Sequence, residues 1–426
     1  MAQVRQPSGA RHEVAPGELF FSMTDRRGVI TAANSVFVRM SRFARDELMG
    51  APHSIIRHPA MPAGAFKLMW DELLADRPFC AYVNNLASDG STYTVFATIT
   101  PAADGFLSVR TRPLRTDLLE PALSLYGVVR PLEVAASEQG RNRRDTATLG
   151  LERLAALLAQ TPFGDYAEFQ WQALMAEAEA RAAQAAAAPR PVGRSLADML
   201  DCCQTLAGEL RSWSDHYAAL IRLVHLLADA ITDLLGAAGT LSRTALTLGA
   251  AEDTAARTPL VTRLNAMTAL IDHLVGQLRG FRQSCRDAST WAALAELQTE
   301  ALSQFVKELG VDRPAASDRA AVHQLCEALV RDFIQVSELA ERTAAKAEAL
   351  VPQLGHTQAL IFGQPTTFDA SQPASGAVDE LAQVEQSLGV IARLGHEIRA
   401  VSTPQDTLAA EHQVIRLLTL MALLNR

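Results

Sequence analysis

The chain has 426 residues, 49 % of them apolar and 20 % charged, with 39 basic and 47 acidic side chains and a formal net charge of −8. That is a globular composition: it excludes a largely disordered or collagen-like chain and argues against a surface that wraps nucleic acid. At roughly 150 residues per domain the length suggests about three domains.

The aromatics are unevenly spread. Of 24 Phe, Trp and Tyr residues, 11 lie between Phe20 and Phe106, and the 320 residues after Phe106 share 13. Two kinds of protein are joined end to end.

Residues 1–16 are polar, mixed in charge and unlike a secretory leader, and are expected to be a flexible tail. From Glu18 to Met23 and from Gly28 to Ala33, short runs of Phe, Val, Ile and Thr flank Asp25-Arg26-Arg27-Gly28, which predicts strand, turn and strand. Ser35 to Met49 reads as helical, with a second turn opened by Asp46 and Glu47 and closed by Gly50. Pro62 suits the first turn of a helix over 63–75, whose Phe66, Met69, Trp70 and Leu73 share one face. Strands are predicted over 79–87, from Tyr93 through Thr98, and over 106–112, with Asp89-Gly90 as a hairpin turn. Two strands, short helices and three strands make an α+β domain, an antiparallel sheet with helices packed on one face, over residues 17–113.

Beyond Leu114 strand signals nearly vanish. Leu220, Leu223, Val224, Leu227, Ile231, Leu234 and Leu235 keep a helical register for four turns, as do Met267, Leu270, Ile271, Leu274 and Leu278. Breaks at 181–194, 310–317 and 363–376 divide this part into a connector and linker (114–192), a bundle (193–310) and a C-terminal helical region (311–426). The most apolar stretch, 217–239, holds Arg222, His225, Asp229 and Asp233. Each charge at bilayer depth costs about 2.5–3.5 kcal/mol, so the stretch reads as a buried amphipathic helix. Cys80, Cys202, Cys203, Cys285 and Cys326 form no disulfide framework and no CxxC spacing, consistent with reduced thiols in a cytoplasmic protein.

The chemistry is concentrated between Asn34 and Thr111. That stretch contains Ala33-Asn34-Ser35-Val36-Phe37, then Pro52-His53-Ser54-Ile55-Ile56-Arg57-His58-Pro59-Ala60-Met61-Pro62. It continues with Ala65-Phe66, Met69-Trp70, Val83-Asn84-Asn85, Asp89-Gly90, Tyr93 and Ser108-Val109-Arg110-Thr111. Over about 95 residues it closely resembles the PAS domain of the bacterial aerotaxis receptor family, whose pattern includes GxPHNxxRHPDMP, AFxxxW and SxRT. The resemblance implies a non-covalent FAD that senses redox state, and places Asn34, His53, Arg57, His58, Phe66, Trp70, Asn85 and Tyr93 on pocket-associated positions. A flavin needs an apolar slot, amides for the N and O edge of its ring, and cations for its pyrophosphate. Phe66 and Trp70 offer the first, Asn34 and Asn85 the second, and Arg57 and His58 the third. The chain departs from the family pattern at Ala60, Phe79, Asn84, Leu86 and Thr94. A cofactor-free domain for dimerisation and docking is the alternative that these departures would mark.

Other chemistries compete less well. A light-sensing flavin domain needs an adduct-forming cysteine where this chain has Ile55-Ile56-Arg57-His58. A haem domain needs an axial histidine, for which His53 and His58 are candidates by type alone. Gly395-His396-Glu397 resembles the phospho-acceptor box of sensor kinases, but the 30 residues after His396 cannot hold an ATP-binding domain. No phosphate loop, HExxH helix or GxSxG elbow is present, so no enzyme is expected. The helical part faintly resembles chemotaxis-receptor helices without their kinase-holding tip. The expectation is a cytoplasmic homodimeric sensor with protein partners in a signalling pathway.

Overall fold

The computed structural model describes residues 6–184, 194–248, 254–310, 316–362, 375–401 and 408–424. The three expected breaks lie largely outside the described residues. The chain divides into two compact units, one of Met1–Arg211, Thr290–Ile334 and Leu408–Arg426, the other of Ser212–Ser289 and Gln335–Thr407, which cut across the chain-order segments 193–310 and 311–426.

The first unit contains the sheet. Five strands, β1 (Leu19–Asp25), β2 (Ile30–Ala33), β3 (Phe79–Leu86), β4 (Thr92–Ala102) and β5 (Gly105–Thr111), run antiparallel in the order β2-β1-β5-β4-β3. Helices α1 (Ser35–Ser41), α2 (Arg45–Leu48) and α3 (Ala63–Leu74), with a 3₁₀ turn at His53–Ile56, come after β2. Phe20, Val95 and Ala97 pack with Phe37, Met40 and Leu48 in one core on the helical face.

The second face is covered too, contrary to the one-sided sheet expected. All seven residues of β5 are buried. Phe21 meets Phe305 of α8 (Thr254–Leu309) edge to face at 5.1 Å. The edge strand β3 is blocked by α6 (Tyr166–Ala182): the Cys80 amide donates to Gln170 Oε1 at 2.9 Å and to the Tyr166 hydroxyl at 3.1 Å. Capping an edge amide with side chains removes a site where another strand could pair. Of the expected tail 1–16, the described part is tied down: His12 N donates to Thr92 O at 3.1 Å, Ser8 N to Gly90 O at 2.8 Å, and Val14 is fully buried.

Connector helices α4 (Thr116–Glu138) and α5 (Arg143–Leu158) complete this unit together with parts of the long helices α7 (Arg194–Leu248), α8 and α9 (Ala316–Phe362), and with α11 (Leu408–Leu424). Arg416 of α11 pairs with Asp201 of α7 at 3.0 Å.

The second unit is helical, built from the remaining parts of α7, α8 and α9 and from α10 (Ser375–Val401). Leu220, Val224, Leu227, Ile231 and Leu234 are buried as their spacing predicts, as are Ile271, Leu274 and Leu278. Lys346 of α9 donates to Gly280 O of α8 at 3.0 Å. His396 is exposed on α10, bonded to its own helix at Ala392 O. Among the described residues no helix is long and apolar enough to cross a membrane.

Where α8 meets the sheet, Gln298 Nε2 donates to Thr100 Oγ1 at 2.9 Å and to the Asp332 carboxylate of α9. Asp332 is fully buried, and burial raises its carboxyl to about 8. The unfolded chain loses that proton near the ordinary carboxylate range, so folded stability is greatest below it and falls as pH rises towards 8. Asp332→Asn should therefore gain on the wild type as pH rises between 4 and 8, which urea unfolding at the two ends of that range measures.

Candidate functional site

Between the sheet and α3 lies a cavity of about 250 Å³. Ligand pockets run to roughly 300–1,000 Å³, so this one suits a flat fused ring better than a whole dinucleotide. Its walls come from α3 (Phe66, Met69, Trp70, Leu73), from the 3₁₀ turn and its C-terminal neighbour (His53, Ile56, Arg57), and from inward-facing strand residues (Val83, Asn85, Ala97, Ile99, Phe106, Ser108, Arg110).

The turn after β1 makes room for Trp70. Asp25 Oδ1 accepts from the amides of Arg27 and Val29 at 2.8 and 2.9 Å, and Gly28 stands in the same turn at φ +79°. A side chain there would strain the backbone and press within 3.3 Å of the indole. The Gly28 carbonyl accepts from His53 N at 2.8 Å, joining this turn to the next wall. Trp70 stands edge-on to Phe106 with ring centres 5.5 Å apart.

Two arginines dominate the electrostatics. Arg110 is buried, and its guanidinium donates to Ser22 Oγ at 2.9 Å and to His53 Nε2 at 2.9 Å. Its charge also lies near the rings of Phe20 and Phe37, 5.7 and 5.8 Å from their centres. Among the described residues no carboxylate pairs with it, and burial brings it down to about 10, still protonated at neutral pH. His53 must then accept at Nε2, which makes it the neutral tautomer protonated at Nδ1. Burial first, and the Arg110 charge second, hold it well below the ordinary histidine range. Arg57 lies over the Phe66 ring at 3.7 Å and is likewise brought down to about 10, first by burial and then by Arg130. Asn85, 4 % exposed, points a buried Nδ2 donor that has no hydrogen-bond partner in the structure.

The cavity therefore presents an apolar slot with positive charge and an unused amide donor on its walls. A buried unsatisfied donor costs about 1–3 kcal/mol, and an unpaired buried cation more. Both costs fall when an electron-rich or anionic ligand enters.

Five of the residues expected at the pocket, His53, Arg57, Phe66, Trp70 and Asn85, are brought together here. Three are placed elsewhere. Asn34 caps α1, its Oδ1 accepting from the amides of Phe37 and Phe21 at 3.2 and 3.3 Å, while its Nδ2 donates to Glu308 of α8 at 3.0 Å. His58 closes its own loop, Nδ1 accepting from Ala60 N at 3.1 Å. Tyr93 is buried beside Phe20 and His12 and does not line the cavity. Arg110 and Ser108 belong to the site and were singled out only as part of a motif. An arginine on a strand carries no signal that it will be buried without an acid.

Over 104 residues of its N-terminal region the chain is 38 % identical to the aerotaxis receptor of Escherichia coli, covering 23 % of this chain and 21 % of that protein. Over a segment of the same length it is 32 % identical to the nitrogen fixation regulatory protein of Klebsiella pneumoniae, covering 22 % of this chain and 21 % of that one. The chain thus matches about a fifth of the length of these curated relatives. No family model matches it. With its five-stranded antiparallel sheet and helices, the N-terminal domain is a PAS domain, homologous to those proteins, and a helical region succeeds it.

Because Asn34 is a cap and a link to α8, Asn34→Ala should cost about 1–2 kcal/mol of stability, read from urea unfolding, and leave the cavity residues in place.

Proposed function

We propose that the cavity holds the ring of a flavin, with FAD as the natural form, and that the protein is a redox or oxygen sensor relaying the state of that ring through its helices. The unpartnered Asn85 amide, set among Trp70, Phe66, Arg57 and an Arg110 that pairs with no carboxylate among the described residues, carries this proposal. Support also comes from the aerotaxis receptor, a protein named for a response to air, with which the PAS domain shares 38 % identity.

A flavin, when bound, supplies a redox couple whose reduced ring gains negative charge or protons. The residues of this chain have defined parts to play. Phe66 and Trp70 would keep water from a bound ring, and the Asn85 amide would be free to donate to it. Arg110, kept in place by Ser22 and His53, would supply positive charge to the ring. Arg57, stacked on Phe66, would supply positive charge for the phosphates. A change of charge in the slot is felt first by Arg110 and Asn85, which sit on β5 and β3. It moves the equilibrium only as far as its differential contacts with them allow. A haem reading has less to stand on, since His53 Nε2 is engaged by Arg110 and His58 does not line the cavity.

The partners in this reading are proteins of a signalling pathway, and the compartment is the cytoplasm, where the five buried free thiols would stay reduced.

The 426-residue chain mixed with FAD and passed over a desalting column should keep visible flavin absorbance. Asn85→Ala should weaken retention several-fold, the loss of one hydrogen bond, and Trp70→Ala by about tenfold or more. Colourless wild-type protein, with Trp70→Ala costing only stability, would instead identify a cofactor-free docking module.

A further inference from the structure

The α3 helix has no side-chain cap of its own. Pro62 occupies its N-cap position, and the first amides of the helix need another acceptor. The acceptor comes from the connector. Glu133 of α4 is fully buried, its Oε2 accepting from Ala63 N at 2.7 Å and its Oε1 from Gly64 N at 2.8 Å. A carboxylate at a helix N-terminus also meets the positive end of the helix dipole. One turn earlier, Arg130 donates to Pro59 O at 2.9 Å and to Glu133 Oε2 at 3.2 Å.

The α5 helix shapes the same spot. A methyl group at Gly64 would collide with the backbone of Gly150, and one at Gly150 would collide with the Glu133 carboxylate. Ala65, Val129 and Leu154 pack beside this crossing, one from each helix.

The connector therefore holds the short loop that joins two walls of the cavity, at Pro59 within it and at Ala63 where α3 begins. On one side of the loop is Arg57, stacked on Phe66; on the other is α3, which carries Phe66 and Trp70. We propose that Glu133 is a positioning residue for the cavity: by capping α3 it sets where Phe66 and Trp70 stand, and through it the state of the cavity and the docking of α4 are coupled. As far as it concerns a bound ring, this rests on the flavin reading above. The cap itself does not.

By linkage, whatever affinity for the ligand the cap supplies, the ligand returns to the cap. The test is hydrogen exchange measured by mass spectrometry on the full chain, without and with FAD, for wild type, Glu133→Gln and Gly150→Ala. Glu133→Gln keeps the shape and removes the charge; Gly150→Ala keeps the carboxylate and displaces it. Without FAD, both variants should speed exchange over residues 63–74 by about tenfold, as expected for losing charge-assisted bonds, with β4 and β5 unchanged. With FAD, wild type should gain protection over residues 63–74 and 125–136, and both variants should lose that gain and bind FAD about tenfold more weakly. Wild-type exchange rates over 63–74 in the variants would overturn the proposal, whether or not FAD binds. Equal acceleration in β4 and β5 would overturn it too, because Glu133 would then support the whole domain rather than α3. FAD binding at wild-type affinity in both variants would overturn the coupling. Wild-type protein that retains no FAD would overturn the flavin reading, and the exchange rates without FAD would still decide on the cap.

Discussion

The guanidinium of Arg110 is the constraint around which the PAS domain is arranged. A buried cation on the middle strand of a sheet, with no carboxylate paired to it among the described residues, is expensive unless its donors are used and its charge is met. Ser22 and His53 use two of those donors, and each comes from a different element. His53 can accept only as a neutral ring, and burial keeps it so. The turn that carries His53 is in turn held to Gly28, whose missing side chain admits Trp70. One buried charge thus ties β1, β5, the 3₁₀ turn and α3 into a single cavity wall.

The packing around this centre does not stop at the boundary of the PAS domain. The α8 helix covers the second sheet face through Phe305 and Gln298, and Glu308 bonds to the Asn34 side chain and to Ser35 at the start of α1. The α6 helix blocks the β3 edge, where Glu177 accepts from Tyr82 Oη at 2.8 Å and from Leu114 N at 2.8 Å as the chain leaves the sheet. Buried carboxylates such as Glu133 and Glu177 are costly in apolar surroundings and are tolerated because backbone amides satisfy them. Each also links the packing of a helix to the sheet domain beside it.

Much of the fold was legible in the chain. Phe66, Met69, Trp70 and Leu73 share one helix face because helical spacing puts them there, and all four line the cavity. The strands were readable from β-branched and aromatic runs, with Asp89-Gly90 marking the tight turn of one hairpin. The helical stripe of Leu220, Val224, Leu227, Ile231 and Leu234 is buried as its register demands. Of the residues that motif resemblance grouped, His53, Arg57 and Asn85 line the cavity. The resemblance also grouped Asn34, His58 and Tyr93 with them, although the structure gives these a cap, a loop closure and a place in the core. A motif records which residues occur together, while the direction of each side chain depends on backbone angles and on neighbours distant in sequence.

Local pattern determined the strands, the α3 face, the amphipathic helices and the change from an aromatic-rich sheet domain to an Ala- and Leu-rich helical one, because these arise from the 2.0 and 3.6 periodicities and from turn chemistry over a few residues. Contacts between residues far apart in the chain decided the rest. Such contacts put Arg110 out of reach of any described acid, left the Asn85 amide unpaired, ordered residues 8–14 along the β3–β4 hairpin, and brought Glu133 onto α3 some 70 residues away. Burial and pairing are properties of assembled neighbours, and no stretch of sequence carries them alone.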